Sequence, residues 1–454
     1  MTWLAAHLVA VATALATLAA AAVLVRQPRT PQATAAWLLA IVLVPYVGLP
    51  LFLALGSRKL RHAPLAFRPG GDRSASGTGA DQTPAARLIA SYGLPPPRPG
   101  HRLVPLADGQ DAFAALLDLV RGAERSLWVE LYVLKDDDAG GALLHALAEQ
   151  AARGLDVRLL LDAAGSRPLA RAALRPLLDA GGHVAWYEPA LHRPFRGRTN
   201  LRNHRKLVLA DGVRAWAGGM NAAHEYLGPA PDSARWRDLS FRLDGPACAD
   251  YAAVFRSDWT WVTRSELPDL PAPAAAGPST VQLVPSGPDV AGDALLDLLT
   301  HLAASAERRV WMVTPYFVPD ESLARALAAA ARRGVDVRLV VPDRSNQPFA
   351  DLARGPALRA LHAAGARIFR YPASMVHAKA LVADGRALVG SANLDFRSLL
   401  LNAEAALLLY DAPDADAIAT YIRRLEKDSI GGVPAVTPGR ELAEGLVRLA
   451  APLL

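Results

Sequence analysis

Apolar positions follow two different patterns along this chain. The first 56 residues carry two long apolar runs, Trp3 to Val25 and Ala35 to Leu55, around a polar break containing Arg26, Pro28, Arg29 and Pro31. Each run is long enough to cross the roughly 30 Å hydrocarbon core of a bilayer as a helix. A cleaved signal peptide fits less well, because no Lys or Arg precedes the first run and a second follows closely. Pro45, Gly48 and Pro50 would break a soluble helix but are tolerated in a transmembrane one. The pattern predicts a transmembrane helical hairpin, residues 1–56, with both ends on one side. Arg58, Lys59, Arg61 and Arg68 follow the second run, whereas the connecting loop offers only Arg26 and Arg29. The positive-inside rule then places the remainder in the cytoplasm, as the body of a multi-pass protein of the cell inner (plasma) membrane.

From 57 to 100 the chain is rich in Pro, Gly, Ser and Arg, and is predicted to be a flexible tether with one short helix around Ala85 to Ser91. Near Leu103 a new pattern begins, and it occurs twice. Ala123-Glu124-Arg125-Ser126-Leu127-Trp128-Val129 is matched by Ala306-Glu307-Arg308-Arg309-Val310-Trp311-Met312. In each copy an apolar helix follows, and then Arg-Gly-x-Asp-Val-Arg-Leu, at Arg153 to Leu159 and Arg333 to Leu339. Strand, amphipathic helix, Gly turn and buried strand make a βαβ unit. Gly182 to Tyr187 and Gly365 to Tyr371 add further paired strands. A shared Ala/Arg helix bias would not reproduce whole strings in the same order. The chain therefore divides into two α/β halves, 101–267 and 281–454, joined by a proline-rich linker at 268–280.

Composition narrows the partners. The single cysteine, Cys248, excludes an intramolecular disulfide and cysteine-rich zinc sites. A net charge of +6 and a pI near 9.6 suit anionic partners, lipid headgroups or nucleic acid.

The strongest chemical signal lies late in each half. One copy reads Asn203-His204-Arg205-Lys206, then Asp211-Gly212, then Gly218-Gly219-Met220-Asn221; the other reads His377-Ala378-Lys379, then Asp384-Gly385, then Gly390-Ser391-Ala392-Asn393. Residues two apart on a strand face the same way, so His and Lys project together. The Asp-Gly pair favours a tight turn, and the returning strand brings the small residues and the Asn back beside them. This set suits phosphodiester chemistry without a metal or cofactor. A neutral imidazole can attack phosphorus, and a second can protonate the leaving alkoxide and later deprotonate an incoming alcohol. Lys and Asn can hold the non-bridging oxygens. A lone His-x-Lys on a basic strand is ordinarily a surface feature, but two full copies at matching places in matching halves are not a coincidence.

The duplicated pattern resembles the H-x-K-x4-D-x6-G-S-x-N signature of the phospholipase D superfamily. The apolar hairpin, Arg202 to Lys206, Thr314-Pro315-Tyr316-Phe317-Val318-Pro319 and Gly390 to Ser398 are similar to bacterial cardiolipin synthases. The resemblance covers nearly the whole chain. It implies two αβα sandwich halves related by a pseudo-twofold axis, with both motifs facing one cleft. It implies His204 as nucleophile and His377 as general acid and then base, with Lys206 and Lys379 beside them. Asn221, Asn393, Gly219 and Ser391 would bind or admit phosphate. A downstream acid in each half would orient a histidine, with Asp238 and Glu404 as the best matches and Glu404 beside His377. Asp211 and Asp384 belong to the motifs but are expected to stabilise turns. The implied reaction makes cardiolipin from two phosphatidylglycerol molecules and releases glycerol. Hydrolysis, transfer to another alcohol and, more remotely, nuclease action are the rivals; retention of both His and both Lys argues against an inactive scaffold. The implied partners are anionic phospholipid and membrane, not nucleic acid.

Two departures stand out. Five residues separate Asp384 from Gly390 where six separate Asp211 from Gly218, which calls for a bulge or a different turn. Asn221 is followed by Ala222-Ala223-His224, where a Gly-Asp pair before Glu-Tyr is commoner in cardiolipin synthases. Finally, Arg193, Arg196, Arg198, Arg202 and Arg205, with Phe195, form either a solvated loop or a basic lip for anionic lipid, worth about 1 kcal/mol per cation. Trp128, Trp311, Tyr132 and Tyr316 are expected in the core and cleft wall.

Overall fold

The computed structural model describes residues 3–27, 31–56, 58–59, 83–187, 200–271 and 273–449. The first apolar run is one uninterrupted helix, α1 (Trp3–Val25). Its length of about 35 Å, at 1.5 Å per residue, is enough to cross a bilayer core, and Leu4, Leu8, Leu15 and Leu18 on it are exposed. The second run is not one helix but two, α2 (Pro31–Leu43) and α3 (Pro45–Leu55). Pro45 cannot donate a backbone hydrogen bond and disfavours the helical conformation at Val44, which sits at φ −132° and ψ 61°. The chain folds back there so tightly that a Cβ on Gly48 would lie 2.1 Å from the Ala40 carbonyl oxygen. The expectation of two spanning helices is therefore corrected: among the described residues only α1 has the length to span, and the second run is a bent pair packed on α1 through Ala20, Leu24, Ile41 and Phe52. Just after α3, Arg58 and Lys59 pair with Asp293 at 3.0 and 3.2 Å, docking the anchor on the second half. Most of the expected tether falls outside the described residues.

Helix α4 (Pro84–Ser91) is capped by the Thr83 hydroxyl. The first half then runs β1 (Arg98–Leu106), α5 (Gly109–Arg121), β2 (Ser126–Leu131), α6 (Asp138–Ala152), β3 (Asp156–Asp162), α7 (Arg175–Asp179), β4 (His183–Tyr187), β5 (Leu207–Ala210), β6 (Arg214–Gly218), β7 (Ser240–Asp244) and α8 (Cys248–Thr263). The second half runs β8 (Ser279–Ser286), α9 (Ala294–Ser305), β9 (Arg309–Val313), β10 (Phe317–Val318), α10 (Glu321–Arg332), β11 (Asp336–Pro342), α11 (Pro348–Ala353), α12 (Gly355–Ala363), β12 (Arg367–Tyr371), β13 (Ala380–Ala383), β14 (Arg386–Gly390), β15 (Leu394–Asp395), α13 (Phe396–Leu400), β16 (Glu404–Leu409), α14 (Ala412–Lys427), β17 (Ile430–Gly431) and α15 (Pro438–Leu449).

All of these strands but two join one sheet, ordered β17-β12-β11-β9-β13-β14-β16-β8-β1-β7-β6-β5-β2-β3-β4, while β10 and β15 pair with each other in parallel. Outward from the β8–β1 seam both directions give the same succession, which is the pseudo-twofold relation expected from the repeat. In each half the βαβ strands pair in parallel, β2 with β3 and β9 with β11, and the motif hairpin pairs antiparallel beside them.

The Asp-Gly turns account for the spacing difference. Leu207 faces Ala217 and Ala380 faces Val389, so the strand registers match. The extra residue of the first copy lies in the turn, where Ala210 faces Arg214 rather than the Ala383–Arg386 pairing of the second. Asp211 and Asp384 adopt φ of 57° and 52°, a left-handed conformation that aspartate tolerates. Their carboxylates accept backbone N–H groups of Glu124, Arg125 and Ser126, and of Glu307, Arg308 and Arg309. Burial pushes both carboxyls upward, but these donors hold them below the usual range.

Arg205 joins the halves. It lies between His204 and Lys206, so alternation turns it to the opposite side, into the interior. Its guanidinium pairs with Asp258 on α8 and, at 2.9 Å, with Asp289 beyond β8, and it donates to the Ser286 and Glu404 carbonyls. Breaking a buried pair on one side leaves uncompensated charge and costs about 3–5 kcal/mol. Arg205→Ala is expected to lower the melting temperature of the detergent-solubilised full chain by several degrees, with Arg205→Lys recovering little of it because lysine lacks the planar fork. Unchanged melting of Arg205→Ala would show that the pair does not hold the halves together.

Candidate active site

His204 and His377 lie on the extended segments that lead into β5 and β13. Each segment is stitched to the other half. His204 N donates to the Ala403 carbonyl and Ala403 N to the Arg202 carbonyl, both at 2.8 Å. In the matching place Arg237 N donates to the Met375 carbonyl at 2.8 Å and His377 N to the Arg237 carbonyl at 2.7 Å. These bridges occur because β16 and β7 flank the central seam, so the residues entering them reach across it.

The carboxylates therefore cross over. Glu404, at the start of β16, places Oε1 and Oε2 at 2.9 and 3.1 Å from Nδ1 of His204. Asp238, just before β7, places Oδ2 at 2.6 Å from Nδ1 of His377. The sequence reading set Glu404 beside His377; the structure sets it beside His204, because the seam brings each carboxylate to the opposite half's motif. With Nδ1 facing a carboxylate in both cases, each ring turns Nε2 toward the remaining space of the site.

The small residues of the motifs fit this crossing. The Ser391 hydroxyl donates to Glu404 Oε2 at 2.5 Å. At the matching position a Cβ on Gly219 would come within 2.2 Å of Asp238 Oδ1. The first copy thus carries glycine because the carboxylate itself fills the space that serine occupies in the second. Asn221 accepts from Val133 N at 3.1 Å and so ties the loop after β2 to the motif. Asn393 is buried, and its Oδ1 has no partner among the described residues.

Aromatic rings wall both imidazoles. Tyr132 packs edge-on to His204 at 4.7 Å, and Tyr226, Trp236 and Tyr316 surround His377 at 5.0, 5.5 and 6.4 Å. Lys206 Nζ donates to the His204 carbonyl at 2.7 Å and lies over the Tyr132 ring. Lys379 Nζ lies against the ring of His377, 2.5 Å from Nδ1 and 3.2 Å from Nε2. Trp128 and Trp311 are core residues.

Burial governs the charge of this site. It lowers His204 to about 4, with Lys206 adding to the fall and Glu404 opposing it. His377 falls to about 3, by burial and then Lys379, against Asp238. Lys206 and Lys379 fall to about 7 and about 8, again by burial, against the two carboxylates. Both imidazoles are therefore neutral near pH 7 in the empty site, and the lysines stand close to losing their protons.

The structure does not bring Asp211 and Asp384 to this site; they stand on turns at the far ends of β5 and β13 from the histidines. Arg205 is no part of a basic lip: it is 1% exposed and paired as described above. Arg202 is also buried, 3.5 Å from Asp162. Arg193, Arg196, Arg198 and Phe195 lie outside the described residues. Sequence reasoning missed the buried acids Glu130, Asp258 and Asp289 grouped around Asn203 and Arg205. Strand alternation at Arg205 is the signal that could have pointed to them. Among the described residues no group of His, Cys, Asp and Glu could hold a metal ion.

A family model described as cardiolipin synthase, phospholipase D-like domain, matches residues 116–259 and 299–427, and one described as phospholipase D-nuclease N-terminal matches 14–57. Cardiolipin synthase A of Pseudomonas syringae pv. syringae is 33% identical over 415 residues, covering 87% of this chain and 86% of its own. Cardiolipin synthase A of Pseudomonas aeruginosa PAO1 is 32% identical over 450 residues, covering 94% and 91%. Among solved structures, phosphatidylserine synthase of Haemophilus influenzae superposes with a TM-score of 0.62 over 82% of this chain and all of its own, at 15% identity, a likeness of fold.

An anion entering this site favours the protonated forms of the two lysines and raises their proton affinity. Sulfate, whose own charge is constant over this range, is expected to bind with uptake of protons at pH 8, where part of the lysine population is uncharged. Calorimetry in buffers of different ionisation enthalpy measures this directly. Binding without proton uptake at pH 8 would contradict the depressed lysines.

Proposed function

The chain belongs to the family of phospholipase D-like cardiolipin synthases, and from that premise we propose that it is a membrane phosphatidyltransferase that converts two phosphatidylglycerol molecules into cardiolipin and glycerol. The observation that carries this reading is the crossed pair of contacts, His204 with Glu404 and His377 with Asp238. They set two imidazoles, each with a carboxylate at Nδ1, into one site built by both halves. An anchor helix of spanning length keeps that site at the surface where a lipid substrate resides.

In the proposed sequence His204 Nε2 attacks phosphorus and forms an N–P bond as the P–O bond to glycerol breaks. His377, protonated once the phosphodiester's charge has entered, gives its proton to the departing glycerol oxygen. The hydroxyl of a second phosphatidylglycerol then gives its proton to His377 while its oxygen attacks phosphorus, and the N–P bond to His204 breaks. Lys206 and Lys379 counter the charge on the non-bridging oxygens. The roles of the two histidines follow the family pattern, in which the first motif supplies the nucleophile. Neutral His204 in the empty site suits that role. His377 is lowered further still, so its acid role depends on the substrate's charge.

Incubation of the purified full chain with labelled phosphatidylglycerol, followed by chromatography, is expected to yield cardiolipin and glycerol; phosphatidic acid alone would make water the acceptor and overturn the transferase reading. His377→Ala, given a phosphatidyl ester of p-nitrophenol whose leaving group needs no proton, is expected to accumulate an adduct on the His204 peptide, while His204→Ala forms none. An adduct on the His377 peptide of a His204 variant would reverse the roles.

A further inference from the structure

The loop after β8, residues 287–293, lies between the end of the membrane anchor and the wall of the histidine site. On its inner side Gly287 packs on Ala403, so closely that a Cβ there would lie 2.6 Å from the Ala403 Cα. Ala403 directly precedes Glu404, and its carbonyl accepts from His204 N. Two residues further along the loop, Asp289 accepts from Nη2 of Arg205 at 2.9 and 3.1 Å, and Arg205 Nε donates to the Glu404 carbonyl at 3.2 Å. The loop thus touches the residue before Glu404 and the residue after His204.

On its outer side the loop is held from the anchor. Lys59, just beyond α3, donates to the Gly287 carbonyl at 2.9 Å and to the Gly292 carbonyl at 2.6 Å, gathering both ends of the loop around one ammonium group. Asp293 lies 3.2 Å from the same Nζ. Three N–H donors therefore face three acceptors, all from this loop. Positive charge at this place suits a lipid headgroup, yet Lys59 is half-buried, and burial lowers its proton affinity against the pull of Asp293. Tyr92, at the end of α4, backs the loop: a Cβ on Gly292 would lie 2.4 Å from its ring, and its hydroxyl donates to Asp297.

We propose that Lys59 is a positioning residue for the histidine site: by gathering the Gly287 and Gly292 carbonyls it keeps the loop on Ala403 and Asp289 on Arg205, so that the end of the membrane anchor braces the His204–Glu404 contact. The proposal rests on the reading of His204 as the nucleophile. Lys59 bonds to the loop and not to either motif, so its loss is read in rate and not in substrate affinity. A displacement of about 1 Å at a reacting group can cost on the order of 10²-fold.

The test uses the full chain in a zwitterionic detergent, with a dihexanoyl phosphatidyl ester of p-nitrophenol below its micellar concentration, so that no lipid surface takes part. Lys59→Met, which removes the donors, is expected to slow the p-nitrophenol burst at saturating substrate at least tenfold, with the half-saturating concentration unchanged within twofold. Lys59→Gln, which keeps a shorter donor, is expected to slow it at least threefold. Asp293→Asn leaves both carbonyl bonds in place and is expected to stay within twofold of the unmodified chain. Hydrogen exchange, at a temperature where melting curves show every variant folded, is expected to quicken at least tenfold in Lys59→Met at the peptides holding the His204 and Ala403 amides, and not in Asp293→Asn. Exchange needs no turnover, so it judges the brace even where the unmodified chain forms no adduct on His204 and that reading fails. In a chain that forms the adduct, a slowed burst without quickened exchange, or the reverse, would overturn the proposal. Lys59 variants that lose activity only on phospholipid vesicles would overturn it in favour of a headgroup contact. An Asp293→Asn variant that falls as far as Lys59→Met would overturn it in favour of the ion pair alone.

Discussion

The constraint on which the active site depends is the exchange of carboxylates across the central seam. Neither half carries a complete histidine–carboxylate pair. His204 takes Glu404 and His377 takes Asp238, and the backbone bridges from Arg202 to Ala403 and from Arg237 to Met375 hold those partners in place. The sheet order explains why the exchange is possible, since β16 and β7 lie next to β8 and β1 at the seam. Any displacement of one half against the other parts both pairs together. The duplication therefore produces a single site.

Keeping that interface rigid requires charge in the interior, and the chain arranges it with care. Arg205 meets Asp258 and Asp289 from opposite halves, while burial and Asp258 push the carboxyl of Glu130 well above its ordinary range. A proton on Glu130 reduces the excess of buried negative charge. Asp289 also belongs to the loop whose Gly287 and Gly292 carbonyls accept from Lys59, so the end of the membrane anchor, the seam and the histidine motif form one connected network. In the site itself, burial leaves imidazoles neutral and lysines near the edge of deprotonation. A phosphodiester's charge would favour the protonated forms of the lysines and imidazoles there.

Much of this architecture was legible in the sequence, because the signals were local and doubled. Repeated strings give the paired βαβ units, and matched His-x-Lys and Gly-x-x-Asn strings give the motifs. Helix α4 lies within one residue of its predicted start because Thr83 and Pro84 mark it. The failures share a cause: they depend on contacts between distant residues. The carboxylate exchange follows from strand order, which local pattern does not encode. Arg205 looks like one more cation in a basic segment until its neighbours across the seam are known. The second apolar run is long enough to span, and only the fold-back at Val44 and Pro45 shows that it does not run straight.

The most direct test of the crossed site separates the two chemical steps by substitution in the opposite half. With a phosphatidyl ester of p-nitrophenol, adduct formation needs only His204 and its partner, while adduct breakdown needs His377 and its partner. Rapid-quench measurement is expected to show Glu404→Gln slowing the release of p-nitrophenol by roughly 10²- to 10⁴-fold, and Asp238→Asn leaving that burst intact while the adduct persists. The opposite result, a slowed burst in Asp238→Asn and normal formation in Glu404→Gln, would contradict the account, by uncrossing the pairs if the adduct still forms on His204 or by exchanging the roles of the histidines if it forms on His377.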